Sequence, residues 1–180
     1  MEIAGVMDQS IHTHAALHTS SLYTAEQKRR RDETPWTLVQ GVLAPIQFLV
    51  FLVSLGLVWR FLVTGEGETA ATVSVVVKTL VLYTIMVTGA IWEKVVFGKY
   101  LFADAFFWED MVSMLVIALH TAYLYAWLTN SLPVAQQLYL ALAAYTAYVL
   151  NAAQFILKLR AARLQAANTN ASNADMAVTA

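Results

Sequence analysis

The stretch that decides the fold is ADAFFWEDMVSMLVIALHTAYLYAWL, residues 103–128. Two adjacent acids, Glu109 and Asp110, precede an apolar run long enough to cross a lipid bilayer as a helix, which takes about 20 residues. One histidine, His120, lies in the middle of that run. The stretch therefore predicts a membrane helix with carboxylates at its beginning and an ionisable ring near its centre.

The composition of the whole chain is typical of a membrane protein. Of its 180 residues, 59% are hydrophobic and only 13% are charged, and the mean hydropathy is +0.58. A soluble domain is usually about one quarter charged. The net charge of −1 gives no general attraction to nucleic acid, and the absence of cysteine excludes disulfides and thiolate metal sites. We expect a single all-α, polytopic membrane domain that does not bind nucleic acid.

Hydropathy predicts a four-transmembrane-helix bundle. Four apolar stretches are long enough to span the bilayer: 37–63, 70–91, 110–129 and 134–157. The segment between the second and third stretch, 92–109, is amphipathic and aromatic, so we expect it to lie along the membrane interface or to fold under the bundle. Tryptophan is enriched at such interfaces, and all five tryptophans fall at predicted span ends: Trp36, Trp59, Trp92, Trp108 and Trp127.

The two ends of the chain differ from the predicted transmembrane domain, 22–163. Residues 1–21 lack the basic start and continuous apolar core of a signal peptide, so we interpret them as a mobile leader. Three histidines in this leader resemble a metal-binding tract, but histidines two apart diverge on a helix, and we predict no site there: His12, His14 and His18. Residues 164–180 are small and polar, which predicts a disordered tail.

Basic residues predict the orientation in the membrane. Nine of them flank one set of span ends: Lys28, Arg29, Arg30, Arg31, Lys94, Lys99, Lys158, Arg160 and Arg163. Because cytoplasmic loops carry an excess of lysine and arginine, both termini and the 92–109 connection are predicted to face the cytoplasm. The two remaining basic residues, Arg60 and Lys78, are expected to extend their side chains along the helix to the opposite interface. For Lys78, a buried functional role is the alternative.

His120 has two interpretations. On a helix, Glu109, Ser113, Val116 and His120 share one face, and eleven residues place His120 about 16 Å below Glu109. A neutral imidazole bonded to a neighbouring helix would be a packing group. An ionisable residue at such depth is also a functional candidate, either as a ligand to the metal of a bound pigment or as a proton relay.

Four carboxylates cluster at the predicted cytoplasmic boundary: Glu93, Asp104, Glu109 and Asp110. One interpretation is ordinary solvation at the interface, with the last two also favoured by the positive end of the helix dipole. The other is the acid/base rim of a catalytic site. Two stripes of uncharged polar residues are predicted to bridge helices: Gln40, Gln47 and Ser54 in the first span, and Gln137, Tyr148 and Asn151 in the fourth.

Three long runs carry a resemblance to a known family: 35–58, PWTLVQGVLAPIQFLVFLVSLGLV; 75–103, VVVKTLVLYTIMVTGAIWEKVVFGKYLFA; and 105–124, AFFWEDMVSMLVIALHTAYL. Over residues 22–160 the chain resembles the 3-vinyl bacteriochlorophyllide hydratases of bacteriochlorophyll biosynthesis. The resemblance implies a hydro-lyase that adds water across the C3 vinyl group of a chlorophyllide-type tetrapyrrole, giving a 1-hydroxyethyl group. It also implies the bacterial inner (intracytoplasmic) membrane, the lipid bilayer and other enzymes of the pathway as surroundings.

The implied reaction suggests roles for the candidate residues. Hydration changes no net oxidation state, so no redox cofactor is expected, and magnesium belongs to the substrate rather than to a metal site of the protein. We hypothesise that Glu109 or Asp110 donates a proton to the vinyl group and that Glu93 assists the water. His120 would ligate the substrate magnesium or orient the ring, and Lys94 and Lys99 would contact its propionate.

An alternative from another class is a non-enzymatic pigment-binding or photosynthetic assembly protein, with His120 as a chlorophyll ligand. The four boundary carboxylates have no obvious use in such a protein. A haem electron carrier with two histidine ligands would need a second histidine within the predicted spans, and there is none. In the hydratase, a macrocycle could touch both Glu109 and His120 only if it stood along the helix.

Overall fold

In the computed structural model, which describes residues 22–178, the chain forms five helices and no strand. They are α1, Ala25–Glu33; α2, Pro35–Thr64; α3, Glu68–Phe97; α4, Phe107–Thr129; and α5, Val134–Val178. Within this range α2, α3, α4 and the Val134–Leu164 part of α5 are long and apolar enough to cross a membrane. The predicted all-α fold with four transmembrane helices is confirmed. The predicted leader and its three histidines lie outside the described residues.

Two helix boundaries differ from the hydropathy prediction. α3 continues to Phe97, and the connection to α4 is the short loop 98–106 rather than the predicted segment 92–109. α5 continues to Val178, so helix occupies 164–178, where the composition predicts a disordered tail. That segment contains five alanines, and alanine has the highest intrinsic helix propensity, which favours extension of a helix already formed.

The four long helices are arranged as two antiparallel hairpins. α2 packs against α3, and α4 packs against α5, far more extensively than either hairpin packs against the other. We call the boundary between hairpin α2–α3 and hairpin α4–α5 the seam. Aromatic rings join the hairpins there: the Phe51 ring centroid lies 5.4 Å from that of Tyr145 and 5.1 Å from that of Tyr148.

Hydrogen bonds between polar side chains tie the helices together. Ser54 Oγ is bonded to Ser74 Oγ at 2.7 Å and to the Tyr145 hydroxyl at 2.6 Å. Gln40 Nε2 donates to Thr88 Oγ1 at 2.8 Å. In an apolar environment such bonds replace the water that these groups would otherwise need. The prediction that the polar stripe of the first span bridges helices is confirmed for Gln40 and Ser54.

We call one end of the bundle the carboxylate end. It is formed by the beginnings of α2 and α4, the end of α3 and the part of α5 around Lys158. Five rings pack there with neighbouring centroids 5.7–6.5 Å apart: Tyr23, Trp92, Phe97, Phe106 and Phe155. Burial among these rings raises the pKa of the Tyr23 hydroxyl, an effect that the nearby Arg31 guanidinium opposes. The cluster fixes the loop 98–106 against the helices that carry the acids.

Candidate active site

Three of the four predicted boundary carboxylates are buried together at the carboxylate end. Glu93, Glu109 and Asp110 are 4%, 7% and 6% exposed, so ordinary interfacial solvation is the wrong interpretation for them. The fourth, Asp104, has a side chain that is 99% exposed and forms a long ion pair of 3.4 Å with Lys99. The structure therefore separates one solvated acid from a buried group of three.

The loop 98–106 supplies hydrogen-bond donors to two of these acids. The backbone N–H of Phe102 donates to Asp110 Oδ2 at 2.7 Å, and that of Ala103 donates to Glu93 Oε1 at 2.6 Å. Phe102 has a φ of 60°, in the left-handed region, which costs a non-glycine residue about 1–2 kcal/mol. This unfavourable backbone conformation belongs to the turn that directs two consecutive N–H groups toward two neighbouring carboxyl groups.

Glu93 and Asp110 are neighbours in this buried group, and they repel each other when both are ionised. Two buried carboxyl groups side by side do not readily ionise together, so we expect the pair to hold one proton. One oxygen of each carboxyl group accepts a backbone N–H of the loop. Such a pair contains both a proton donor and a proton acceptor within one site.

Glu109 has a different partner. Lys158 Nζ donates to Glu109 Oε2 at 2.7 Å, and the two side chains are 27% and 9% exposed. The same ammonium lies 5.0 Å from the centroid of the Phe106 ring. In this arrangement Glu109 is a hydrogen-bond acceptor in an ion pair rather than a proton donor. From the sequence alone, Lys158 indicates only the orientation in the membrane, because no spacing in the sequence relates it to Glu109.

An open cleft of about 540 Å³ lies beside this group of acids. Its lining includes Ala103, whose N–H binds Glu93, and Lys158, which binds Glu109. Lys99, one of the two lysines predicted to contact substrate, also lines the cleft. The other, Lys94, instead donates to the carbonyl oxygen of Gly98 at 2.8 Å. The cleft has the volume of a typical small-molecule site.

The predicted stripe on α4 is buried along its whole length. Glu109, Ser113, Val116 and His120 are all buried, and His120 is 0% exposed. His120 Nδ1 lies 2.8 Å from the carbonyl oxygen of Val116, which can only accept, so Nδ1 carries the proton. In the neutral ring Nε2 then presents a lone pair. The predicted packing bond to a neighbouring helix is therefore replaced by a bond within α4.

The prediction for Lys78 is wrong. Lys78 does not extend to the interface: it is 0% exposed, and its Nζ lies 3.9 Å from the centroid of the Tyr148 ring. It lies close enough to His120 to interact with it electrostatically. Hydropathy predicts the depth of Lys78 in the membrane but not the side of α3 on which it lies. Arg60, by contrast, is exposed and pairs with Glu66 at 3.3 Å, as expected.

Comparison with known proteins adds independent information. The family model described as 2-vinyl bacteriochlorophyllide hydratase (BCHF) matches residues 23–161, which include all the acids described above and Lys158. A 2-vinyl bacteriochlorophyllide hydratase of Rhodobacter capsulatus is 68% identical over 151 residues, covering 84% of this chain and 88% of that protein. One of Cereibacter sphaeroides is 68% identical over 143 residues, covering 79% and 89%. No solved structure matches the chain significantly.

Proposed function

The chain belongs to the 2-vinyl bacteriochlorophyllide hydratase family, and we propose that it performs the hydration at the Glu93–Asp110 pair. It is a hydro-lyase of bacteriochlorophyll synthesis that adds water across the vinyl group of a bacteriochlorophyllide. The family name numbers this group 2, which denotes the same substituent as C3 above. The prediction of a hydratase is thus confirmed over the non-enzymatic pigment-binding alternative.

The reaction requires one proton donor and one proton acceptor near the vinyl group. A proton added to the terminal carbon converts it to a methyl group and leaves a cation on the inner carbon, stabilised by conjugation with the macrocycle. The oxygen of water then bonds to that carbon, and the water loses one proton. One molecule of water is consumed and no electrons are transferred, so we propose that no redox cofactor takes part and that magnesium belongs to the substrate.

The observation that carries this proposal is the burial of two neighbouring carboxyl groups, Glu93 and Asp110, each of which accepts a backbone N–H of the loop. We propose that this pair holds one proton. The pair delivers this proton to the terminal carbon, with Asp110 as donor, and becomes doubly ionised for the duration of the step. The N–H groups of Phe102 and Ala103 stabilise the charge that develops on it. Glu93 then accepts the proton released by the attacking water, which restores the pair. Acid/base catalysis of this kind contributes about 10²–10⁴-fold in rate.

Glu109 and Lys158 act as positioning residues in this proposal. Both interact electrostatically with Asp110, and their ion pair links α4 to α5 at the depth of the pair. The sequence-based hypothesis left Glu109 and Asp110 as alternative donors. Because Glu109 is bound to an ammonium group, whereas Asp110 lies beside another carboxyl group, we propose Asp110 as the proton donor.

The cleft indicates how the substrate is held. Lys99 lines it and can pair with the propionate of the macrocycle, whereas the Lys94 ammonium already donates to a backbone carbonyl. His120 lies ten residues from Asp110, about 15 Å along α4. That distance exceeds the separation of the vinyl group from the magnesium within one macrocycle. Of the two roles predicted for His120, we therefore propose that it orients the ring rather than ligating the metal.

The distribution of charge supports an orientation in the membrane. Nine basic residues lie at the carboxylate end or next to it in the described range: Lys28, Arg29, Arg30, Arg31, Lys94, Lys99, Lys158, Arg160 and Arg163. By the positive-inside rule this end, with both termini, faces the cytoplasm. The membrane is the bacterial inner (intracytoplasmic) membrane, where other enzymes of the pathway would supply and remove the pigment.

Purified protein in detergent tests the proposal directly. Incubation with vinyl bacteriochlorophyllide should give a product whose mass is increased by one water. Asp110→Asn and Glu93→Gln should each lower kcat at least about a hundredfold at normal protein level. Glu109→Gln and His120→Ala should have smaller effects on kcat, and Glu66→Gln, an exposed glutamate in the turn between α2 and α3, is the matched control. Full activity of both pair variants would refute the proposed chemistry.

A further inference from the structure

A second group of polar side chains lies deep in the bundle, away from the acids. Gln47 and Lys78 belong to hairpin α2–α3, and His120 and Asn151 belong to hairpin α4–α5. Five of their buried atoms have no hydrogen-bond partner among the described residues: Gln47 Nε2 and Oε1, Lys78 Nζ, His120 Nε2 and Asn151 Oδ1. Burying an unpaired polar group is costly, and inside a membrane such groups usually mark a functional site.

These side chains lie around the seam. The Tyr148 ring contacts Lys78 Nζ on one side and the Phe51 ring on the other, and Phe51 is one helical turn from Gln47. On the other hairpin, His120 packs against Tyr145 with ring centroids 5.9 Å apart. The seam is also where the helices share the fewest contacts, so it is the boundary that opens at the least cost in packing.

We infer that the seam is the binding slot for the macrocycle, and that Lys78 and Gln47 anchor a ring carbonyl on the edge opposite the vinyl group. This inference rests on the proposed function, because it assumes that the vinyl group reaches the Glu93–Asp110 pair. Lys78 and Gln47 bring unpaired N–H donors, and a ring carbonyl is an acceptor. A flat, apolar ring that carries a few oxygen atoms matches an apolar seam with a few polar groups.

The separation of the two sites along the bundle fits a ring that stands along the helix axes. Ten residues separate Asp110 from His120 on α4, and fifteen separate Glu93 from Lys78 on α3. These spacings correspond to about 15 Å and about 22 Å. They are comparable with the distance across the macrocycle from the vinyl group to a carbonyl group on the opposite edge, plus one protein–ligand contact distance at each end.

Asn151 lies between these two levels. Its Nδ2 donates to Ser113 Oγ at 2.8 Å, and Ser113 is three residues from Asp110 and seven from His120. Its unpaired Oδ1 therefore lies at a depth between those of Asp110 and His120. The centre of a macrocycle that stands along the helix axes would lie at the same depth. A carbonyl oxygen is the kind of ligand that magnesium prefers, so this atom is compatible with the metal of the substrate.

The first test is Lys78→Met. Removal of a buried, unpaired ammonium should leave the thermal stability equal or higher, while the Kd for the pigment, measured by its absorption, rises about tenfold. The rate of hydration at saturating pigment should stay within a few-fold of the wild-type rate. Lys28→Met, at an exposed position on α1, is the matched control and should change neither quantity. Unchanged affinity, or an affinity loss that only follows unfolding, would overturn the inference.

The identity of the bound oxygen is tested with an altered ligand. The methyl ester of the propionate should bind Lys78→Met more weakly than it binds the wild-type protein. The factor should equal the one measured with the free acid. If the ester shows no such loss, the lysine binds the propionate and the anchoring of a carbonyl is refuted. Gln47→Leu, an apolar change in the same site, should weaken binding in the same direction and provides a second variant.

The second test locks the seam, which is possible because the chain contains no cysteine. Leu82 on α3 and Val116 on α4 pack in one buried cluster across the seam, so Leu82→Cys combined with Val116→Cys should form a disulfide between the hairpins. The oxidised protein should lose pigment binding, and reduction should restore it. The single variants Leu82→Cys and Val116→Cys, which cannot form this bond within one molecule, are the controls and should bind pigment in both states.

Binding and hydration are measured separately, so the two proposals fail in different ways. A locked seam that still binds and converts pigment would overturn the slot but leave the acid pair intact. Normal hydration by Asp110→Asn would refute the acid pair but leave the binding results for Lys78 and the seam unaffected.

Discussion

At the scale of single residues, the structure distinguishes acids that the sequence groups together. Glu93, Glu109, Asp110 and Asp104 all lie at one predicted boundary, but Asp104 is solvated while the other three are buried. Among those three, Glu109 forms an ion pair with Lys158, whereas Glu93 and Asp110 accept N–H groups of the loop 98–106. In the proposed mechanism these partners, rather than burial alone, distinguish the acid that donates from the acid that positions.

The ion pair between Glu109 and Lys158 gives the first prediction at this scale. Lys158→Met leaves a buried carboxylate without its cation and should lower the free energy of unfolding by about 1–3 kcal/mol. Replacing both, by Glu109→Gln with Lys158→Met, should recover part of that loss, because no charge is then left unpaired. Denaturation of Lys158→Met, Glu109→Gln and the double variant in detergent gives the coupling energy. Strictly additive losses would contradict the ion pair.

The two candidate lysines give the second prediction. Lys99 lines the cleft, so Lys99→Ala should raise KM roughly threefold to tenfold, as expected for loss of an exposed charge contact. Lys94→Ala should change KM little, since the Lys94 ammonium binds the Gly98 carbonyl. Steady-state kinetics with the free-acid pigment measures both variants. A larger effect of Lys94→Ala than of Lys99→Ala would contradict the assigned position of the propionate.

Predictions for single residues were correct where they needed only the position of a residue along its own helix. The spacing on α4 placed Glu109 and His120 on one face, and that face is buried. Prediction failed for Lys78, because hydropathy does not tell which side of α3 meets the other hairpin. It also missed Lys158 and the N–H groups of Phe102 and Ala103, because their contacts join positions that are distant in the sequence or belong to the backbone.

At the scale of elements, the sequence predicted the four spans because hydropathy depends on composition alone. The predicted end of the second span was too early, since Glu93 and Lys94 lower the local hydropathy while the helix continues to Phe97. The loop 98–106 is therefore shorter than predicted and makes a sharp turn. Gly98 begins this turn with a φ of 83°, a conformation that glycine adopts without strain.

Gly98→Ala should therefore disturb the site through the loop. A Cβ at this position meets no atom within 4 Å, so the effect comes from the backbone conformation alone, about 1 kcal/mol. Gly65 has a φ of 75° and ends α2 at the opposite end of the bundle, which makes Gly65→Ala a matched control. Both variants should lose similar stability, but only Gly98→Ala should lower kcat. Equal activity of the two would contradict a role for the loop amides.

At the scale of the whole molecule, two hairpins meet along a seam that leads to a buried acid pair. In the proposed mechanism a flat pigment approaches along this seam from the lipid, and its polar groups meet fixed partners. The pairing of helices into hairpins was not predicted, because hydropathy counts spans without saying which ones pack together. The polar stripes predicted that residues such as Ser54 bridge helices. They did not predict which residue each one contacts, such as Ser74 for Ser54.

The orientation of the molecule is the fourth prediction. Lys28→Cys and Glu66→Cys each introduce the only cysteine of the chain, on α1 and in the turn between α2 and α3. A thiol reagent that cannot cross membranes should label position 66 from the periplasmic side and position 28 only from the cytoplasmic side. Labelling of both positions from one side, or the reverse pattern, would contradict the positive-inside assignment.

The central claim is that the proton shared by Glu93 and Asp110 is the one delivered to the vinyl group. The most direct measurement is the rate of a single turnover with pigment already bound, in wild type and in Asp110→Asn. The account predicts unchanged pigment affinity with a hydration rate reduced at least about a hundredfold. A variant that binds pigment normally and hydrates it within a few-fold of the wild-type rate would contradict the claim.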